Sequence, residues 1–159
     1  MSCTHCLNTI KSYFNQFYFT YICRVPEDEP KTKFYYLSLK KDPNKKSEWS
    51  IHGLWPQYSE NEYPSFCKKV EFDIEKLKPI IPELKQFWYS TKDTNEDFWK
   101  HEWQKHGSCI FTEMDELTYF KTTLSLYLDC IQTNSIDRYK KNETHALIPI
   151  SLDFKIISN

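Results

Sequence analysis

Residues 98–109 have the sequence FWKHEWQKHGSC, which gathers two histidines, a glutamate, two lysines and two tryptophans. Thr94 and Asp97 have the spacing of a capping box at a helix N-terminus, and Gly107 is typical of a helix end. The stretch therefore predicts a helix that begins near Thr94 and ends near Gly107.

One face of this predicted helix is titratable. At about 100° per residue, four polar side chains fan across roughly 140° of its surface. They are His101, Glu102, Lys105 and His106. Trp99 and Trp103 lie just beyond this arc, and we interpret them as core packing. An ordinary amphipathic helix carries acids and lysines in salt-bridge spacing and few histidines, so this face is a candidate for chemistry.

Length and composition limit the class of protein. The 159 residues are enough for one domain, and we predict a single domain over residues 1–159, in which residues 1–32 form an N-terminal extension. An apolar content of 40% and an aromatic content of 17% exclude a disordered chain. A formal charge of −1 disfavours a protein that coats RNA, but it does not disfavour an enzyme that holds a short stretch of polyanion.

The cellular compartment stays open. The N-terminus lacks a charged start followed by a long apolar run, so we expect no signal peptide and no membrane span. Six cysteines are nevertheless many for a cytosolic protein of this size. Either the chain is a mature form that has lost its signal, against which Met1 argues, or its thiols stay reduced.

The other elements are predicted from their patterns. The aromatic run over residues 33–39 predicts a buried strand, and the alternation over residues 48–52 predicts a second strand that ends at Gly53 and Pro56. We also predict a strand over residues 17–23, a turn over residues 42–46 and a strand within residues 148–157. Two helical pieces are predicted between residues 73 and 89, with Pro82 in the first turn of the second. A further amphipathic helix is marked by Leu117, Phe120, Leu124, Tyr127 and Leu128. Because helices outnumber strands without regular alternation, the predicted fold class is α+β.

A second stretch suited to chemistry is WSIHGLWPQY, at residues 49–58. Together with FWKHEWQKHGSC, it resembles the paired active-site segments of the ribonuclease T2 family, in the same order. The resemblance covers residues 33–130 and implies a ribonuclease T2-like fold, a central antiparallel sheet packed with several helices, shortened at the C-terminus. Members of this family are usually secreted or lysosomal or vacuolar.

The resemblance also implies one disulfide, between Cys67 and Cys109. The other four cysteines have three complete pairings or stay free. They are Cys3, Cys6, Cys23 and Cys130.

The residues themselves suit cleavage of RNA without a metal. Attack of a ribose 2′-hydroxyl on phosphorus needs a base, an acid and cations around the phosphorane. His52 and His106 are the candidates for the two proton transfers, although the sequence alone does not orient the pair. By resemblance, His106 is the base and His52 the acid. His101 then binds the phosphate, while Lys105 and Glu102 stabilise the transition state and tune His106, which lies one turn from Glu102.

Three residues are predicted to bind a base: Trp55 by stacking, with Gln57 and Tyr58 beside it. Gln57 stands where the family commonly has an acidic residue, so base preference is not carried over. Lys40 and Lys41 stand where the family usually has a glutamine–tryptophan pair. The expected partner is single-stranded RNA, and we expect a monomer without cofactor, metal or membrane.

Two metal sites and one other function compete with this interpretation. A zinc-protease helix needs its histidines at i and i+4, whereas His101 and His106 are five apart. Cys3 and Cys6 could be half of a zinc site or a redox pair, but no second C-x-x-C exists. A catalytically silent RNA-binding or protein-interaction derivative is the alternative function, although it has no physical reason to keep both imidazoles. His145, in a polar segment, has no predicted role.

Overall fold

The computed structural model describes residues 33–42 and 48–158. In these residues, three antiparallel strands form one sheet in the order β2-β1-β3. The strands are β1 (Phe34–Lys41), β2 (Trp49–Gln57) and β3 (His145–Ile150). The α-helices are α1 (Ile74–Leu77), α2 (Ile81–Phe87), α3 (Asn95–Lys105) and α4 (Glu116–Gln132), and 3-10 turns cover Lys78–Ile80, Gly107–Cys109 and Ile136–Tyr139. The α+β prediction is confirmed.

Strand β1 is the central strand of this sheet and confirms the prediction over residues 33–39. Its side chains alternate between the two faces, and Tyr35, Leu37 and Leu39 are completely buried in the core. The alternate residues, which include Ser38 and Lys40, point to the other face. The strand therefore separates the hydrophobic core from a face that carries polar groups.

Strand β2 continues beyond the predicted end. Gly53 pairs with Ser38 and Pro56 pairs with Tyr35, so the prediction that these two residues end the strand is wrong. Proline is tolerated because β2 lies at an edge of the described sheet, where its missing N–H breaks no ladder hydrogen bond. The pairing register shifts beside Ser38 and leaves His52 as an extra residue in β2. Such a bulge re-aims a side chain, and here the side chain is an imidazole.

Helix α3 confirms the predicted start. The Thr94 hydroxyl accepts a hydrogen bond from the Asp97 amide at 3.1 Å. The α-helix ends at Lys105, and His106 is its C-cap, just before the 3-10 turn that begins at Gly107. His106 therefore lies at the end of the helix and not on its regular face.

Two tryptophans fix α3 against the rest of the protein. Trp99 and Trp103 are 2% and 6% exposed. Their indole N–H groups donate to the carbonyl oxygens of Trp88 and Glu71, at 2.6 and 3.0 Å. Their predicted role in core packing is confirmed.

The remaining helices agree with their predictions. Pro82 lies in the first turn of α2. Helix α4 buries Phe120, Leu124 and Tyr127, whereas Leu128 is 45% exposed and does not belong to its apolar face. Among the described residues, no helix combines the length and apolar character needed to cross a membrane.

Strand β3 begins before its predicted range. It starts at His145 and includes Pro149, and only an isolated bridge between Ile150 and Ile156 follows it. The predicted strand over residues 17–23, the extension over residues 1–32 and most of the turn over residues 42–46 lie outside the described residues.

The predicted disulfide is present between Cys67 and Cys109, with their Cα atoms 5.1 Å apart. It joins the loop after β2 to the turn after α3. The Cys130 thiol is buried and free. The disulfide therefore links the loop that follows the first motif to the last residue of the second motif.

Reduction of this disulfide is expected to lower the free energy of unfolding by about 2–4 kcal/mol, because the bond closes a long loop in the unfolded chain. Its two ends are 42 residues apart. Urea unfolding with and without reductant measures the effect. A Cys67→Ser/Cys109→Ser double variant is the control, since its stability should not respond to reductant. Mass spectrometry that found both thiols free in a fully stable protein would contradict this expectation.

Candidate active site

The bulge in β2 and the end of α3 bring three predicted site residues together. The Trp55 indole Nε1–H donates a hydrogen bond of 3.0 Å to Oε2 of Glu102. The other carboxylate oxygen, Oε1, lies 4.0 Å from Nε2 of His52. The two motifs of the sequence thus meet at the Glu102 carboxyl group.

The ring of Trp55 contacts both imidazoles. It stacks on His106 with centroids 5.2 Å apart and an interplanar angle of 26°. Toward His52 the centroids are 5.0 Å apart and the rings meet edge to face at 71°. One indole therefore fixes both histidines and the Glu102 carboxyl group, which is a positioning role that the sequence reasoning did not assign to it.

Gly53 is required by this close packing. A Cβ atom at this position would lie 2.6 Å from Nε1 of Trp55 and would overlap Oε2 of Glu102. Real Cβ atoms do not approach other heavy atoms so closely, so any other residue would displace the carboxyl group. We interpreted Gly53 as a strand terminator from the sequence, whereas its structural role is to admit Glu102.

Two residues outside the predicted set support His52. The indole N–H of Trp88, a completely buried residue, donates to the His52 carbonyl oxygen at 3.0 Å. The ring of Phe98 lies 5.8 Å from the imidazole. Sequence reasoning missed Trp88 because nothing in its local pattern indicates a contact with β2.

Burial keeps both imidazoles neutral over most of the pH range. Desolvation, with added repulsion from Lys40 and other cations, lowers the pKa of His52 to about 4. Desolvation and the charge of Lys105 lower the pKa of His106 to about 3. The Nδ1 atom of His106 is buried and has no hydrogen-bond partner within the described part of the chain.

Glu102 has the opposite shift. Burial raises its pKa to about 7, although the Trp55 hydrogen bond and the charges of Lys105 and Lys40 act against this. A carboxyl group that titrates near neutrality beside two perturbed imidazoles is typical of a functional site.

These shifts predict how stability depends on pH. His52 and His106 have pKa values below the 6.5 of a free imidazole, so their contribution is complete above pH 6.5 and is lost as the pH falls toward 4 and 3. Glu102 contributes stability below pH 4.5 that is lost as the pH rises through about 7. Between pH 4.5 and 6.5, the two histidines raise the free energy of unfolding with pH and Glu102 lowers it. Because the two histidines outweigh the one glutamate, the net contribution of these three residues should rise over this range.

Urea unfolding at several pH values tests this expectation. The His106→Ala variant should show a weaker rise than the parent protein between pH 4.5 and 6.5, and Glu102→Gln should show a steeper one. Equal pH slopes in the parent and in His106→Ala would contradict the assigned shift of His106.

His101 and Lys105 lie at the rim of the site. His101 is exposed and its ring approaches Phe66 edge to face, with centroids 6.1 Å apart. Burial and the charge of Lys105 lower the pKa of His101. Both cations contribute to the low pKa of His106, so they act on the same space as the imidazole pair.

The predicted base-binding residues differ in accessibility. Gln57 is only 4% exposed, so little of its side chain is accessible to a base, and its role stays a prediction. Tyr58 is half-buried, with its ring 5.7 Å from that of Phe111, and its role stays a prediction. Trp55 keeps less free ring surface for stacking than expected, because His106 covers part of it.

Two cationic groups that we left without a role lie beside His52. Lys40 of β1 pairs with His145 of β3, and the charges of both lower the pKa of His52. The sequence signal was the lysine pair at residues 40–41 in place of the glutamine–tryptophan pair of the family.

Among the described residues, no group of three or more His, Cys, Asp or Glu side chains is arranged to hold a metal ion.

The fold and the site together define an α+β protein with a paired-histidine site. The Ribonuclease T2 family model matches residues 10–145. Ribonuclease DdI of Dictyostelium discoideum is 40% identical over 89 residues, which cover 54% of this chain and 40% of that protein. Ribonuclease T2 protein rnst-2 of Caenorhabditis elegans is 33% identical over 121 residues, which cover 72% of this chain and 41% of that protein. The chain belongs to the ribonuclease T2 family.

Solved structures agree with the fold. Ribonuclease MC1 from the seeds of bitter gourd matches with a TM-score of 0.61 and 17% identity, covering 76% of this chain and 90% of that one. An RNase-related protein from Calystegia sepium matches with a TM-score of 0.62 and 16% identity, covering 81% of this chain and 91% of that one. The chain spans about two fifths of the length of the curated relatives described above.

Proposed function

We propose that this protein is a metal-independent endoribonuclease that cleaves single-stranded RNA. The observation that carries the proposal is the imidazole pair, half-buried His52 and buried His106, held on one indole beside the Glu102 carboxyl group. The names of the curated relatives support it, since they are ribonucleases. Mutants of RNase MC1 have been solved in complex with 5′-UMP and 5′-GMP, which supports a nucleotide ligand for this fold.

The reaction we propose is a transphosphorylation followed by hydrolysis. A neutral imidazole takes the proton of the ribose 2′-hydroxyl, whose oxygen then attacks the adjacent phosphorus. The bond from phosphorus to the 5′-oxygen breaks, and a protonated imidazole gives its proton to that oxygen. A 2′,3′-cyclic phosphate results, and water opens it to a 3′-phosphate when the two imidazoles exchange roles.

The resemblance to the family assigns His106 as the base and His52 as the acid. Burial lowers the pKa of both imidazoles, so a neutral imidazole is available as the base over most of the pH range. Because the productive state has one proton on the pair, the rate should be highest at acidic pH.

The other residues supply charge and position. We assign His101 and Lys105 to the phosphate, where their positive charge stabilises the phosphorane. Glu102 orients Trp55 through its hydrogen bond, and its other carboxyl oxygen lies 4.0 Å from Nε2 of His52. Trp55, Gln57 and Tyr58 stay our candidates for contact with a base. The single domain over residues 1–159 and the monomeric state also stay predictions.

An assay on end-labelled single-stranded RNA tests this function. We expect cleavage in the presence of EDTA, with products that carry 2′,3′-cyclic phosphate and later 3′-phosphate. His106→Ala, purified in the same way, is the control for a contaminating nuclease. Products with 5′-phosphate ends, or loss of activity in EDTA, would indicate a metal-activated water instead. RNA binding without cleavage would favour the catalytically silent derivative.

A further inference from the structure

We propose that Lys40 binds the phosphate that follows the leaving nucleoside, one nucleotide to the 3′ side of the cut. Lys40, Phe98 and His52 lie in a row beside the bulge of β2. This site would extend the substrate contacts beyond the scissile phosphate. The proposal rests on the function proposed above.

The position of the Lys40 side chain carries the first step of the argument. It is half-buried on the polar face of β1, and its Nζ atom lies 4.4 Å from the centroid of the Phe98 ring. The same ring lies 5.8 Å from the imidazole of His52. A cation packed on an aromatic ring keeps a defined place, because the ring attracts it and limits the motion of its long side chain.

The charges around the two imidazoles carry the second step. Among the charged groups, Lys40 has the largest effect on the pKa of His52, and Lys105 has the largest effect on the pKa of His106. Lys105 thus acts on both imidazoles, whereas the effect of Lys40 is on His52. If the scissile phosphate lies between the imidazoles, Lys105 serves the side of the 2′-hydroxyl and Lys40 the side of the leaving group.

The polarity of the RNA chain gives the third step. His52 gives its proton to the 5′-oxygen of the leaving nucleoside, so the chain continues past His52 in the 3′ direction. The next phosphate of a single strand therefore reaches the neighbourhood of Lys40.

The other charged groups near Lys40 are compatible with an anion. His145 pairs with Lys40 across the sheet and, like Lys40, lowers the pKa of His52. Burial lowers the pKa of Lys40, while the charges of Glu102 and Asp42 raise it and that of Lys92 lowers it. Because Glu102 is largely protonated below its pKa of about 7, its repulsion of a phosphate is weak at acidic pH.

The neighbouring lysine provides a matched control. Lys41 points to the opposite face of β1, where its Nζ atom lies 4.8 Å from the ring centroid of Trp49. It has the same charge and a similar aromatic contact, but it faces away from His52. A Lys41→Met variant should therefore behave like the parent protein.

The experiment uses a dinucleotide with a single cleavable phosphodiester, with and without an added 3′-terminal phosphate. In the parent protein, we expect the 3′-phosphate to lower KM about five- to tenfold, as for a charge-assisted contact that is partly exposed to solvent. Lys40→Met should remove this difference, while Lys40→Arg and Lys41→Met should keep it. The difference should also shrink as the salt concentration rises.

Each other outcome has a defined meaning. A parent protein that cleaves both dinucleotides with equal KM, or prefers a 5′-terminal phosphate, overturns the proposal for Lys40 alone. So does a Lys40→Met variant that keeps the 3′-phosphate preference. If Lys40→Met does not fold, the parent measurements and Lys40→Gln decide the question in the same way. Absence of cleavage of either dinucleotide and of longer RNA overturns the proposed function, and the role of Lys40 with it.

Discussion

Replacing either His52 or His106 by alanine is expected to lower the turnover of single-stranded RNA by at least ~10²-fold, because a positioned acid or base typically contributes ~10²- to 10⁴-fold. The two residues act in one proton-transfer cycle. Their double replacement should therefore cost much less than the product of the two single losses. Single-turnover rates of the parent protein, the two single variants and the double variant measure this coupling.

Loss of folding is the main competing explanation for such a result. His106 is 4% exposed, so its replacement leaves a small cavity and removes an unpartnered polar atom. Unfolding midpoints of all four proteins separate stability from chemistry, and Lys41→Met is a control with an unchanged site. A stable His106→Ala protein with near-native turnover would refute the assignment of His106 as the base.

Acidic conditions should place activity and stability in opposition. The reaction needs one protonated imidazole, whereas desolvation makes protonation of both imidazoles unfavourable in the free protein. A bound phosphate favours the imidazolium and raises its pKa. The optimum of kcat should therefore lie at a higher pH than that of kcat/KM.

Local signals were sufficient to predict helix α3 and its start. Thr94 caps the helix through a contact only three residues away, so the sequence contains the whole interaction. Its end was less accurate, since His106 is the C-cap and not a member of the helical face. The site still forms, because the break in the helix turns His106 onto Trp55.

Tertiary contacts explain the predictions that were wrong. The sequence of β2 suggested a stop at Gly53 and Pro56, but pairing with β1 at a sheet edge keeps both residues in the strand. Leu128 has the spacing of the apolar face of α4, yet it is 45% exposed. Burial depends on which elements pack over a residue, and local pattern does not contain this information.

The neighbourhood of His52 was beyond sequence reasoning for the same reason. Lys40 and His145 become partners only because β3 pairs with β1. The Trp88 indole reaches the His52 carbonyl oxygen across a separation of 36 residues. No spacing rule links these positions, whereas the two motifs could be linked by resemblance to a family.

The second large effect concerns the nucleophile, which in our mechanism belongs to the substrate. An oligodeoxynucleotide with one ribonucleotide offers a single 2′-hydroxyl, while its stacking surfaces and phosphates are nearly unchanged. We expect cleavage at one position only, and replacement of that ribonucleotide by its 2′-deoxy form should abolish it. The all-DNA control should still compete for binding, because it keeps the phosphate contacts with His101 and Lys105.

Mass spectrometry of the products of this chimeric substrate is the most direct test of the central claim. The mechanism of His52 and His106 predicts a cut on the 3′ side of the single ribose, a 2′,3′-cyclic phosphate on the upstream product and a free 5′-hydroxyl on the downstream one, all in the presence of EDTA. Cleavage at deoxyribose positions, or a 5′-phosphate on the downstream product, would contradict it.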